Sequence, residues 1–274
     1  MNAAEVIAAL DLPPGARVDR RVPKALLVEH GAPTAADKRR IHEGIEAVQW
    51  VATLKPSTIG VPSFRDEVRE YLEINVLSAT LRGGAKAARL AELIHRAVPY
   101  PTLLITQMAH RVAEDAGHQP DKPLRVSAPP HELVSISAAH TRWSQGQVGA
   151  TVLDGEPIAV AVTEAETDGL PSSFRQALSL ARQPRADLYQ LYQGWIDTLL
   201  ALKAAEVTGR FAMVTSADQA AARREALREC ARLDAEITRL RKAAAKERQV
   251  PRQVELNLEL KRAEAARATA REKL

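Results

Sequence analysis

Cysteine, aromatic residues and long apolar runs are what this 274-residue chain has least of. Its one cysteine, Cys230, excludes a disulfide framework and a cysteine-based zinc site. No apolar run reaches the ~18 residues that a membrane span needs. Residues 1–10 carry Glu5 and no basic run, so no secretory leader is read there and a cytoplasmic protein is expected. Aromatics make up only 4% of the chain, so the core must rest on Ala, Leu, Val and Ile. The hydrophobic share of 46% is too high for a disordered chain. The length suits one large domain or two small ones.

Charge is unevenly spread. Residues 216–274 hold 15 Lys and Arg against 10 Asp and Glu, and the rest of the chain holds 23 against 24. The basic tail carries both signs densely, which favours a solvated helix over a plain DNA-binding arm.

Periodicity divides the chain. Thr34, with Asp37 three residues on, marks a helix start. Ile41, Ile45, Val48 and Val51 or Ala52 then fall at spacings of three and four, which predicts a helix running to about Leu54, where Pro56 stops it. Residues 58–61 are β-prone. Residues 70–82 partly alternate, which places Leu72, Ile74 and Val76 on one strand face, with Ser78 and Thr80 continuing it. Residues 85–97 read as an amphipathic helix with Leu90, Leu93 and Ile94 as its stripe. Residues 102–106 form the short continuous apolar run of a buried central strand. Residues 107–131 are expected as the long arm of a hairpin, followed by a strand from Leu133 toward Trp143. Residues 151–153 and 158–162, joined through Asp154-Gly155, predict a strand pair.

Beyond Gly169 the pattern is helical: a short helix from Phe174, a longer one from Ala186 to about Val207 with Leu188, Tyr192, Trp195, Leu199 and Leu202 on its buried side, and a long one from Ala217 to about Arg248. Cys230, Leu233, Ile237, Leu240 and Ala244 repeat like a coiled-coil seam. Pro251 then leaves two options, a helical hairpin or one kinked helix.

The expected fold is therefore α+β: a mixed or antiparallel sheet with covering helices over residues 1–168, connecting helices over 169–210, and a coiled-coil-like helical arm over 211–274. The stripe after Pro251 is short and Ala-rich, so Leu233, Ile237 and Leu240 are expected to complete their burial against a second copy or a partner subunit.

Several words carry a resemblance. Trp50 precedes Lys55-Pro56-Ser57-Thr58-Ile59, then come Glu73-Ile74, residues 94–101 reading Ile-His-Arg-Ala-Val-Pro-Tyr-Pro, and residues 137–143 reading Ser-Ala-Ala-His-Thr-Arg-Trp. With Arg182–Leu188 and Val254–Lys261, this order resembles the bacterial domain-of-unknown-function family four-three-nine-one over nearly the whole chain. The resemblance implies a companion of DNA methyltransferases and helicases in restriction-like, anti-phage loci. It also implies a Glu-Leu-Lys word at the end of the long strand, the metal-and-base half of a restriction-type nuclease centre. Here that place reads Ala79-Thr80-Leu81-Arg82, which argues against nuclease chemistry.

No catalytic word stands out. There is no Gly-x-Ser-x-Gly motif, and Gly83-Gly84-Ala85-Lys86 opens a helix without the full phosphate-loop pattern. His95, His110, His118, His131 and His140 lack metal-ligand spacing, and Asp66, Glu70 and Glu73 suit a solvated strand edge as well as a metal. No metal or other cofactor is expected. Lys55, Arg82 and Arg142 are candidates for nucleic-acid phosphates. Thr58, His95 and His140 form a candidate polar cluster, and its alternative is a set of structural hydrogen bonds. The function expected is that of a non-enzymatic accessory or scaffolding subunit of a restriction-like defence system. It would contact a methyltransferase or helicase through its helical arm. The alternatives are a degenerate or metal-dependent nuclease and a DNA-binding module.

Overall fold

A computed structural model of the protein describes residues 1–109, 132–146, 149–162 and 171–274. These divide into two compact units, Met1–Leu199 and Leu200–Leu274, with the division inside one helix.

The first unit opens with α1 (Ala3–Ala9), closed at its start by the reciprocal Asn2–Glu5 capping box. Edge strand β1 (Arg17–Arg21) leads into α2 (Lys24–Gly31), which Pro23 starts. In α3 (Ala35–Gly44), Thr34 accepts the Asp37 N–H as N-cap, as the sequence predicts. The helix does not run on to Leu54. Residues Ile45–Leu54 are strand β2, because this stretch, rich in β-branched residues, pairs through Gln49, Trp50 and Ala52 with β1 on one side and along its length with β5 (Ile74–Leu81) on the other. The β-prone residues after Pro56 are not a strand but a one-turn helix, α4 (Pro56–Ile59), ended by Gly60 at φ 66°. Two short strands, β3 (Phe64–Arg65) and β4 (Glu70–Tyr71), form a separate hairpin.

Strand β5 then feeds α5 (Ala87–Ala97), which returns to β6 (Thr102–Ala109), and β6 lies parallel to β5. A parallel pair needs such a crossover. Strand β7 (Glu132–Ala139) is antiparallel to β6. The short β8 (Thr141–Trp143) and β9 (Thr151–Leu153) pair with each other, and β10 (Ile158–Val162) pairs with β7. The segments on either side of Asp154-Gly155 are therefore both strands, but they belong to different sheets. Most of the expected hairpin arm, residues 110–131, lies outside the described residues. The main sheet is mixed, in the order β1-β2-β5-β6-β7-β10.

Both faces of this sheet are covered. On one, Leu77, Ala79, Leu81, Leu104, Ile45 and Val48 meet the stripe Leu90, Leu93 and Ile94 of α5, with Leu27 of α2 and Ile41 of α3. On the other, Leu103, Ile105, Ile136 and Val160 are buried, and α1 packs on β6 and on α6 (Pro171–Leu178). Strand β5 is thus buried on both faces, so its expected alternation fails, and Leu72 is an exposed residue before the strand. Helix α7 (Leu188–Thr208) buries Leu188, Tyr192, Trp195 and Leu199 as its stripe predicts.

The second unit is dominated by α8 (Ala217–Lys246) and α9 (Val250–Arg271), which fold back on each other as an antiparallel hairpin. Ile237, Leu240 and Ala244 pack with Leu256 and Ala263, and Cys230 and Leu233 pack with Ala270. Ion pairs Arg241–Glu264 (2.7 Å) and Arg267–Asp234 (2.5 Å) flank this seam.

Candidate functional site

Register decides which predicted residues can meet. Leu54 pairs with Ile74 at one end of the β2–β5 ladder, and Ile45 pairs with Leu81 at the other. Lys55 follows Leu54 and Arg82 follows Leu81, so the two stand at opposite ends of the sheet, roughly 20 Å apart at the usual strand rise. Asn75, Thr102 and Ala139 lie in line across β5, β6 and β7, so His140 and Arg142 emerge at the Lys55 end. The candidate nucleic-acid set Lys55, Arg82 and Arg142 is therefore not one surface.

Each of these cations has a local role. The Lys55 ammonium lies 3.0 Å from Glu73 Oε2, and its backbone N–H donates to Thr58 Oγ1 at 2.9 Å, so Lys55, Thr58 and Glu73 form one small unit. Arg142 faces Asp154 at 3.7 Å, beside the closer Arg69–Asp154 pair at 3.2 Å. Arg82 donates to the carbonyls of Glu43 (3.2 Å) and His42 (3.5 Å), the open C-terminal end of α3. Asp66 accepts from the Val68 and Arg69 N–H groups, and Glu70 pairs with Arg65 at 3.4 Å. The three acidic candidates thus have separate partners. Among the described residues, no group of three or more His, Cys, Asp and Glu could hold a metal ion.

The predicted polar cluster divides as well. His95 sits on α5, buried against the sheet, with Nε2 3.0 Å from Ser137 Oγ of β7. Burial lowers its pKa to about 4, because no charge compensates the imidazolium there. His140 lies beyond the end of β7 in a different setting. Gln193 Nε2 donates to Asp197 Oδ1 (2.8 Å), which turns its carbonyl oxygen to His140 Nε2 at 2.9 Å. Nε2 then carries the proton, and Nδ1 accepts from the buried Tyr71 hydroxyl at 2.5 Å. His110, His118 and His131 lie outside the described residues.

Around His140 the sequence reading missed an aromatic cluster. Tyr189 lies 5.2 Å from His140 and stacks on Phe64 at 5.0 Å, and the Arg69 guanidinium stands 5.2 Å from the Tyr189 ring centre. Tyr192 sits 5.7 Å from His140. Its hydroxyl donates to the Thr102 carbonyl (2.7 Å), lies 3.0 Å from the Ala139 carbonyl and accepts from the Ala139 N–H (3.0 Å). One phenol thus ties together the ends of β6 and β7. Burial pushes the Tyr71 and Tyr192 hydroxyls above the ordinary phenol range, so both stay protonated donors. Three of the four tyrosines meet here, and the repeated Leu-Tyr-Gln of residues 188–193 is the signal that would have found them.

A cavity of about 920 Å³ lies between α5 and the β8–β9 hairpin, lined by Arg89, Glu92, His95, Arg96 and Thr141 among others. Its cations are engaged. Arg89 grips the buried Asp37 with two bonds (2.9 and 3.1 Å) and Glu92 with a third (2.7 Å), and Arg96 pairs with the same Glu92 at 2.8 Å. Arg89 holds the Asp37 carboxyl well below the usual carboxylate range.

The partner-binding candidates Leu233, Ile237 and Leu240 are all buried, and α9 of the same chain covers them. The stripe beyond Pro251 covers the seam, with Leu256, Ala263 and Ala270 packed on it. Burial also raises the Cys230 thiol pKa, as befits a packed seam residue. The apolar row left in water is on the opposite side of α9: Val250, Val254 and Leu258 are 69%, 52% and 50% exposed. Among the described residues, no helix is long and apolar enough to cross a membrane.

A family model described as Domain of unknown function (DUF4391) matches residues 10–266. No curated protein and no solved structure matches the chain.

Proposed function

The chain belongs to the family described as a domain of unknown function, DUF4391, and from that premise we propose that it is a non-enzymatic scaffolding subunit of a bacterial restriction-like anti-phage assembly. Its helical arm contacts a DNA methyltransferase or helicase of the same assembly. The observation that carries this reading is the outer row of α9. Val250, Val254 and Leu258 recur every four residues, one helical turn apart, on the face turned away from the closed α8–α9 seam. A row at that spacing suits an apolar groove or helix of a partner. The roles of Lys55, Arg142, His95 and His140 in local hydrogen bonds and ion pairs support a framework rather than a reaction centre.

The test is co-expression with a DNA methyltransferase and a helicase of the proposed assembly. The wild-type chain should co-purify with one of them, and the double variant Val254→Asp, Leu258→Asp should lose that partner with an unchanged melting temperature. Retention of the partner by the double variant rejects α9 as the contact. Mg²⁺-dependent cleavage of plasmid DNA by the purified chain, lost in Glu73→Ala, would instead make it a nuclease.

A further inference from the structure

The end of the main sheet opposite the His140 cluster gathers cations from separate stretches of chain. Edge strand β1 brings Arg20 and Arg21, which pair with Trp50 and Gln49 midway along β2, and the chain then runs through Val22 and Pro23 to Lys24 near that end. Lys24 begins α2, Arg82 follows β5, and Lys86 is the N-cap residue of α5. Lys24 Nζ and Arg82 Nη1 reach the same His42 carbonyl, at 3.4 and 3.5 Å, so the two heads are neighbours. Arg82 and Lys86 line one shallow cavity of about 270 Å³ with Arg40, Gly83 and Gly84.

Little there neutralises these charges. Among the described residues, no ion pair joins Arg20, Arg21, Lys24, Arg82 or Lys86 to a carboxylate, whereas Lys55 and Arg142 at the other end have Glu73 and Asp154. The acids nearby are Asp19, which faces Arg17 at 3.7 Å, Glu43, which faces Arg39 at 3.9 Å, and Glu46. Burial and the charges of Arg82 and Arg21 hold the Lys24 ammonium below its ordinary pKa, so the cations repel one another in the free protein. A polyanion laid across them would relieve that repulsion.

We infer that this end of the sheet together with the β1 edge that leads to it, carrying Arg20, Arg21, Lys24, Arg82 and Lys86, is a phosphate-binding surface for duplex DNA. Arg and Lys heads spread over a strand edge and two helix starts suit the regularly spaced phosphates of a backbone. Single strands need aromatic platforms for unpaired bases. Among the described residues, the exposed large side chains include one aromatic, Tyr100, which follows α5 and so lies at the other end of the sheet. The inference goes beyond the scaffolding reading and stands without it, because it uses no residue of α8 or α9.

The experiment is fluorescence anisotropy of the full chain with a labelled mixed-sequence duplex, repeated across a series of NaCl concentrations. Wild-type binding should weaken steeply with salt, because each neutralised phosphate releases a counterion. In the triple variant Arg20→Ala, Arg21→Ala, Lys86→Ala, the slope of log affinity on log salt should flatten by about 0.9 for each phosphate that is no longer neutralised, and affinity near ~0.1 M salt should fall about eightfold for each. All three side chains are exposed, so the melting temperature should hold. The single variant Lys86→Glu gives a second reading with less change to the surface. Arg142→Ala should bind like the wild type. Salt-independent binding, an unchanged slope in the triple variant, or an equal loss in Arg142→Ala would overturn the inference. So would preference for single-stranded DNA, or displacement of the duplex by phosphatidylserine vesicles at lower concentration, which would make this a membrane-facing surface.

Discussion

Acid should destabilise the first unit through His95 before it reaches the carboxylates. In the folded chain, burial keeps the ring neutral down to about pH 4, whereas in the unfolded chain it titrates at its ordinary value of 6.5. Between those two values the unfolded chain binds a proton that the folded chain refuses, so stability rises with pH across the window. The full contribution is present above about pH 6.5 and is lost as pH falls. The loss is about 2 kcal/mol by pH 5 and about 3 kcal/mol by pH 4, a large part of a typical domain stability of about 5–15 kcal/mol. Asp37 works in a different window. Arg89 depresses its pKa, so its stabilisation is present above the ordinary 3.8 and is lost only as pH falls below that value. The assay is urea unfolding at a series of pH values, followed by tryptophan fluorescence. All three tryptophans, Trp50, Trp143 and Trp195, lie in the first unit, so the signal reports on that unit. His95→Gln keeps a polar group for Ser137 but cannot titrate. Between pH 7 and pH 5 its stability should therefore fall less than that of the wild type, by about 2 kcal/mol. If the two stability curves run parallel to within about 0.5 kcal/mol from pH 7 to 4.5, the ring is not held neutral by burial and the reasoning fails.

Three further variants test the packing. Tyr192→Phe removes the hydroxyl that joins the ends of β6 and β7 and leaves the Ala139 N–H and Thr102 carbonyl without it. It should cost about 2–6 kcal/mol by urea unfolding, at about 1–3 for each of the two buried groups left unsatisfied, and a loss under about 0.5 would show that the strand ends do not depend on it. Leu240→Ala, in the closed α8–α9 seam, should cost about 2–5 kcal/mol by thermal melting of the helical signal, and a negligible change would mean that the seam admits water. Gly31→Ala would press a methyl group onto the Leu93 carbonyl and Ala97 Cβ of α5. It should cost about 1–3 kcal/mol by denaturant unfolding, and a neutral outcome would mean that α2 and α5 can move apart freely.

The sequence alone determined the elements whose side chains carry their own period. Leu90, Leu93 and Ile94 define α5, the run at 102–106 defines β6, and the buried stripe of α7 from Leu188 to Leu199 is where its spacing puts it. These follow from local geometry, because a side-chain period fixes which face can be buried. The seam Cys230–Ala244 was equally legible as a buried line, but what covers it was not. Tertiary structure decided the rest. Ile41, Ile45, Val48 and Val51 fit a helix by spacing, yet Ile45–Leu54 is a strand, because β1 and β5 supply its hydrogen bonds from distant parts of the chain. Asp154-Gly155 marks a turn, but a turn does not say which strand each arm will join. Strand register set Lys55 and Arg82 at opposite ends of the sheet, and the path of α7 brought Tyr189, Tyr192 and Gln193 to His140. Periodicity reports the face a residue occupies within its own element. Pairing, register and closure depend on contacts between residues far apart in sequence, so only the folded chain fixes them.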